Sequence, residues 1–351
     1  MKISAGDLET ALLLIGRDEA ARQIMIDALR RIDAALVLPE VEVREHVTGP
    51  VLDALFTQGE EITKSLADGT TFAARYTSKI IRDFVLAPEH PDHVWEPQTT
   101  RAALHFARSA TAVVVGGAYI GDHAVLMARA MRGRGVVHCF EPSSNAELLA
   151  KNARNNGIDN IVVNRMGLWS QDNAHLVLVG DDSHAHPEIA KAGTAGAFQA
   201  VTIDGYGARN AIDHVDLILL DIEGGEYDAL TGSSRYLSQA PGTAPAVLFE
   251  VHRSYTDWSQ GLDKTPIVQL LVGHGYQVFA LRDYNSNVPM SGKAIELVDT
   301  QSVWLEGPPH GFNMLAVKSI DGLEAACFRF VRGVSPKLLK HRNPKLHAPL
   351  G

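Results

Sequence analysis

The stretch Ala112-Val-Val-Val-Gly-Gly-Ala-Tyr-Ile-Gly-Asp122, continued by Val136-Val-His-Cys-Phe-Glu-Pro142, decides the fold. Ala112 to Val115 is an apolar β-branched run of the kind that forms a buried parallel strand. Glycines follow at Gly116, Gly117 and Gly121, and Ala124, Leu126, Met127, Ala130 and Met131 then repeat at helical spacing. Val136 to Phe140 is a second apolar run that ends on Glu141. The order strand, glycine turn, helix, strand, acid is half of a nucleotide-binding α/β unit. Gly117 and Gly121 let the backbone approach a ligand, and a carboxylate at Glu141 can accept hydrogen bonds from both hydroxyls of a ribose. The dinucleotide form of the motif would need glycine at position 118, where Ala118 stands. A ligand with a ribose and no pyrophosphate fits better, and S-adenosylmethionine is the common one.

The totals set bounds around this unit. At 351 residues the chain is one large domain or one domain with a helical extension. Hydrophobic residues make up 46%, ample for a core. A net charge of −9 argues against a nucleic-acid partner. No apolar run approaches the ~18 residues of a membrane span, and acids at Asp7, Glu9, Asp18 and Glu19 are unlike a signal peptide. Two cysteines, Cys139 and Cys327, give no disulfide framework, so a cytoplasmic setting is expected.

Residues 1–38 read as helices, with apolar positions at Ile24, Met25, Ala28, Leu29 and Ile32, and Pro39 stops the run. They are expected to pack as a structural hairpin or to serve as a homodimer face. Val51 to Phe56 and Thr70 to Leu86 read as amphipathic pieces, and Arg75, Tyr76, Trp95 and Glu96 as lid candidates. Further strands are expected at Ile161–Val163, Val215–Leu220, Ala246–Phe249, Tyr276–Leu281 and Asn313–Val317. Asp181, Asp182, His184 and His186 form the polar tip of an insertion, read as a solvated loop rather than a metal site. The basic tail 331–351 reads as a loosely held surface segment.

Five segments in order resemble the FkbM family of methyltransferases. They are Val-Val-Gly-Gly-Ala-Tyr-Ile-Gly (114–121), Phe-Glu-Pro-Ser-Ser-Asn (140–145) with Leu149, Asn152 and Asn156, Val-Thr-Ile-Asp (201–204), Asp-Leu-Ile-Leu-Leu-Asp-Ile-Glu-Gly-Gly-Glu (216–226), and Phe-Glu-Val-His (249–252). The resemblance implies an α/β, Rossmann-like class I fold. Its sheet would have seven mostly parallel strands with helices on both faces, plus a mainly helical N-terminal extension. It divides the chain into an extension (1–94, lid or dimerisation), a methyltransferase domain (95–330) and the tail (331–351).

The implied cofactor is S-adenosylmethionine, held by Gly116, Gly117, Ala118, Tyr119, Gly121 and Asp122, by Glu141, Pro142 and Asn145, and by Gly167 and Asp221. The implied activity is O-methylation of a hydroxyl on a small molecule, a sugar or secondary metabolite. The sequence departs from the family where Val115, Tyr119 and Leu219 replace the usual acid, Asn and Lys.

Ligands of open α/β sheets bind outside the carboxyl ends of the strands, which here carry Asp221, Glu223, Glu250 and His252. His252 is the expected general base, with the carboxylates holding the acceptor, and no metal is expected. Two other readings stay open: a divalent-metal-assisted transferase using Asp221, Glu223, Glu250 and His252, and a non-catalytic cofactor-binding protein. A nicotinamide dehydrogenase is a third, weakened by Ala118.

Overall fold

The computed structural model describes residues 5–180, 185–305, 311–321 and 323–350. Its centre is a nine-stranded sheet. In chain order the strands are β1 (Ala112–Gly116), β2 (Val136–Phe140), β3 (Ile161–Asn164), β4 (Leu217–Leu220), β5 (Ala246–Val251), β6 (Gln277–Leu281), β7 (Ile295–Asp299), β8 (Phe312–Val317) and β9 (Phe328–Val331). Across the sheet they run β9-β7-β6-β8-β5-β4-β1-β2-β3. Strands β1 to β5 are mutually parallel, whereas β8 is antiparallel to both β5 and β6. All five residues of β1 are buried. Their side chains alternate, with Val113 and Val115 packing on one face and Val114 on the other. Helices cover both faces: Pro97–Ala107 and Ala124–Met131 on one, Ile203–Arg209 and Pro266–Gly273 on the other.

The seven strands expected from the sequence are present, but the count of seven is corrected to nine. The extra pair, β7 and β9, continues the sheet at its edge and pairs in parallel. Strand β7 lies between the runs at Tyr276–Leu281 and Asn313–Val317, where no strand was expected, and its apolar content is short: Ile295, Leu297 and Val298 are its buried hydrophobics. A second correction concerns Thr70–Leu86. Its first part, Thr71–Arg75, is a strand paired antiparallel with Glu61–Ser65, and the helix begins only at Lys79. Phe72, Tyr76 and Ile80 fit a four-residue spacing, and the β-branched Thr71 was too little signal against it. A separate four-stranded sheet is built from residues 167–168, 174–179, 186–189 and 198–201.

The extension is stitched to the sheet domain by two asparagines of the helix Asn145–Asn155 and its cap. Asn152, fully buried, accepts from the Ala73 N–H and donates to the carbonyls of Ala73 and Ile120. Asn156 accepts from the Thr71 N–H and donates to its carbonyl. These amides satisfy an edge of the hairpin as a neighbouring strand would. The tail is not loose. Arg282, fully buried, ion-pairs with Glu296 and donates to the carbonyls of Ser335 (2.7 Å), Leu346 (2.8 Å) and Ala348 (3.1 Å). Val334, Lys337, Leu338 and His347 are buried with it. The N-terminal helices Ala5–Arg17 and Glu19–Ala35 leave Leu8, Leu14 and Ile24 exposed, on the surface read as a dimer face. Among the described residues no helix is long and apolar enough to cross a membrane.

Replacing Asn152 by Ala leaves one buried N–H and two buried carbonyls without partners. We expect Asn152→Ala to lower the unfolding free energy by about 3 kcal/mol. Urea denaturation checks this; a loss under about 1 kcal/mol means the amide is not what holds the hairpin.

Candidate active site

Two cavities meet at the carboxyl ends of β1, β2, β4 and β5. The first encloses about 790 Å³ and lies over the glycine turn. Gly117, Tyr119, Glu141 and Pro142 line it, as do Asn145, Gly167 and Asp221. Its apolar end is closed by Leu168, Leu176, Leu178 and Phe198, which sequence reasoning did not assign because they lie in strands of the small sheet. Gly116, Ala118, Gly121 and Asp122 are placed behind this wall. A Cβ on Gly116 would meet Leu220 and Leu168, Ala118 is 3% exposed, and Gly121 faces Val125 and Leu149. Asp122 is buried, 3.7 Å from Nε2 of His123.

The turn has one tight constraint. Gly117 has φ of +73°, and a Cβ there would lie 1.7 Å from the Asp221 carbonyl oxygen, so only glycine lets β1 run this close to β4. Glu141 then locks the turn. Its Oε2 accepts from the Tyr119 N–H and its Oε1 from the Ser143 N–H, both at 2.9 Å. Both oxygens are thereby fixed in place on the wall of the cavity. The Tyr119 hydroxyl bonds Ser78 at 2.9 Å and ties the turn to the extension.

The second cavity encloses about 1020 Å³. Glu223, Glu250 and His252 form its inner end, and the extension and the tail form its walls. Of the lid candidates, Trp95 lines it and Glu96 stands next to it, accepting from Asn313 at 2.6 Å and from Asn285 at 3.4 Å. Tyr76 instead stacks on Phe56 and donates to Asp53 at 2.6 Å, and Arg75 reaches Ser144. Lys337, Lys340 and His341 of the tail also line the cavity. Their basic character was visible in the sequence, but no periodicity or spacing connected them to the strand tips. Glu223 is the residue common to both cavities among those described.

Asp221, Glu223 and Glu250 each offer an oxygen within 4.8 Å of the others. Burial, and then the neighbouring Glu223, hold the Asp221 carboxyl well above the usual carboxylate range. Burial and then Asp221 do the same to Glu250 and to Glu96. Carboxylates packed together in a poor solvent resist full ionisation. Glu226 is a different case: it accepts from the N–H groups of Ile222 (2.8 Å) and Gly224 (2.9 Å) and pins the turn after β4. Glu96, Tyr119 and Glu223 all hold positive φ, between 44° and 51°. Non-glycine residues held in that region gather at functional sites.

His252 shows a geometry that the sequence could not carry. The Ser254 N–H donates to its Nδ1 at 3.1 Å. The neutral ring therefore carries its proton on Nε2, which donates and does not accept. This argues against the general-base role expected for it. Tyr255 lies beside it, ring centroids 5.5 Å apart, and His186 of the insertion lies 5.4 Å beyond. Asp181, Asp182 and His184 of that insertion lie outside the described residues.

No curated protein matches this chain. Solved structures are similar to it, among them three methyltransferases. They are a precorrin-6y C5,15-methyltransferase from Geobacter metallireducens (13% identity, 63% of this chain and 87% of that one, TM-score 0.35), the O-methyltransferase TomG from Streptomyces achromogenes in complex with SAM (13%, 64% and 80%, 0.33) and an O-methyltransferase from Bacillus cereus in complex with SAH (14%, 63% and 80%, 0.34). Likenesses this distant carry no argument about the reaction. The family match does: the model of the methyltransferase FkbM domain fits residues 116–278, from the glycine turn through β5 and its tip residues into β6. Residues 116–278 thus match the methyltransferase FkbM domain, and the chain is an S-adenosylmethionine-dependent methyltransferase.

Proposed function

We propose that this enzyme transfers the methyl group to a hydroxyl of a small molecule, with the cofactor in the cavity over the glycine turn and the acceptor in the cavity beneath the extension. The observation that carries this reading is Glu223, whose side chain stands where the two cavities meet. The residues present fit the cofactor. Glu141 offers a fixed carboxylate for the ribose, Gly117 leaves the backbone bare, and Asp221 stands on the same wall, where a cationic ligand would favour its ionised form. That charge suits a ligand with an ammonium and a sulfonium, and it stands in for the acid that Val115 lacks. When bound, the cofactor supplies an electrophilic methyl group.

The chain's own residues then orient the acceptor and take its proton. A carboxylate within reach of the acceptor hydroxyl can take its proton as the methyl group is transferred. Glu223, in the cluster with Asp221 and Glu250, is the group we assign to that step. His252 donates from Nε2 and holds the acceptor. The extension up to residue 94 acts as the lid over the 95–330 domain.

Glu141→Ala removes the ribose contacts, about 2–3 kcal/mol, or on the order of a hundredfold in affinity. Calorimetry with S-adenosylhomocysteine checks this, and unchanged affinity refutes the assignment. Glu223→Gln is expected to lower turnover about 10²–10⁴-fold with that affinity unchanged. His252→Ala is expected to raise the acceptor's KM and spare kcat. The reverse pattern in steady-state kinetics returns the base to His252.

A second reading has a specific observation behind it. Three carboxylate oxygens within 4.8 Å of one another match the spacing of ligands around a divalent ion. In that case Asp221, Glu223 and Glu250 would hold the ion, which would supply Lewis-acid activation of the acceptor hydroxyl. The first reading predicts turnover unaffected by EDTA; activity lost in EDTA and restored by Mg²⁺ or Mn²⁺ selects the second.

A further inference from the structure

The acceptor cavity is charged in a way that the proposed reaction does not use. Its walls carry five basic residues, Arg44, Lys79, Lys337, Lys340 and His341, in a chain whose net charge is −9. Two of them are matched locally. Arg44 bonds Asp33 at 2.9 Å, and Lys79 lies 3.5 Å from Glu42 and 3.4 Å from Glu45. Lys337 is different. It is 5% exposed and lines the cavity, yet its ammonium makes no ion pair or side-chain hydrogen bond with any described residue. Its backbone, by contrast, is pinned. The N–H donates to Ser335, the carbonyl accepts from His347, and the segment pairs with Asp283.

A lysine whose stem is buried and whose nitrogen opens into a cavity, with no ion pair there, is poised for a ligand that completes it. Burial pushes Lys337 down to about 7, against the pull of Glu250, Glu96 and Glu42 and with the push of Lys79. Lys340, at the exposed rim, adds a second positive charge to the same wall. Once Asp33 and Glu42 are subtracted with their partners, the cavity has Glu223 and Glu250 at its inner end and lysines on its wall.

We propose that the acceptor carries an anionic group, a carboxylate or a phosphate, which docks on Lys337 while its hydroxyl lies at Glu223. The proposal rests on the reading of this cavity as the acceptor site. Lys337 is a specificity residue in it: it grips the acceptor away from the reacting oxygen and takes no proton. An uncharged acceptor would leave the lysine unpaired, so the site discriminates against it.

The test is isothermal titration of the full chain, saturated with S-adenosylhomocysteine, with sodium acetate and with inorganic phosphate at constant ionic strength. The parent protein is expected to bind one of these anions. Losing a charge-assisted hydrogen bond should weaken that binding about 10–100-fold in Lys337→Met, and Lys337→Arg should largely retain it. The anion bound more tightly, acetate or phosphate, identifies the group. The proposal is overturned if neither anion binds the parent, or if Lys337→Met binds it equally well. If Lys337→Met does not fold, the rate at which acetic anhydride labels Lys337 in the parent replaces it. Phosphate or acetate should slow that labelling several-fold, and no slowing overturns the proposal. None of these readouts needs turnover, so a failure of Glu223 as base, seen in the kinetics of Glu223→Gln, stays distinguishable from a failure here.

Discussion

Bringing three carboxylates within 4.8 Å of one another at the edge of a sheet is the constraint around which the rest of this molecule is arranged. It follows from the backbone. Strands β4 and β5 are adjacent and parallel, with Leu220 opposite Phe249, so the residues just past them must meet. Asp221, Glu223 and Glu250 therefore share one small volume whatever their side chains prefer. The N–H groups of Ile222 and Gly224 go to Glu226 rather than to these acids. Burial and mutual repulsion raise the proton affinity of Asp221 and Glu250, and positive charge from a ligand relieves what the protein leaves unbalanced.

The cavities over this cluster are closed by pieces far away in sequence, and each is held by a few polar contacts. Asn152 and Asn156 hold the hairpin of the extension. Asp283 caps the helix that starts at Pro97 by accepting from the N–H groups of Gln98 and Thr99, and so positions Glu96 beside the acids. Arg44 crosses from the extension to the carbonyl of Asn287 at 2.6 Å. Arg282 gathers the tail. Such bonds are strong because they are buried, and for the same reason costly to lose. The shape of the second cavity thus depends on contacts that span from 53 to 243 positions of chain.

How much of this could be read from the sequence follows from the range of each signal. The central strands were legible because Ala112–Val115 is apolar throughout and Val136–Phe140 is so apart from His138, as two-sided burial requires. Glu141 and the tip acids were legible because they follow those runs directly. The strand Ile295–Asp299, second from the edge, was not, since a short strand at a sheet's flank has too little pattern to separate it from a loop. The hairpin strand Thr71–Arg75 was hidden by apolar residues that also fit a helix. Lys337 had no local signal at all: its place is set by Arg282 and Asp283, some 50 residues earlier. The orientation of His252 depends on one backbone N–H two residues on, which no residue pattern records.

The acid cluster and the proposed chemistry also agree in their charge balance. Methyl transfer from a sulfonium to a hydroxyl removes one positive charge from the cofactor side and frees one proton on the acceptor side. A carboxylate of the cluster that takes this proton gains, within a few ångströms, the charge the sulfonium has lost. The net charge inside the site is then the same before and after. In a buried, poorly screened volume this matters, because an uncompensated change of one unit would be opposed by several kcal/mol. A histidine whose basic nitrogen is occupied by the Ser254 N–H offers no such exchange, whereas Glu223, between the two cavities, does. On the proposed reading the crowding of acids is thus what lets the proton remain where the positive charge is lost.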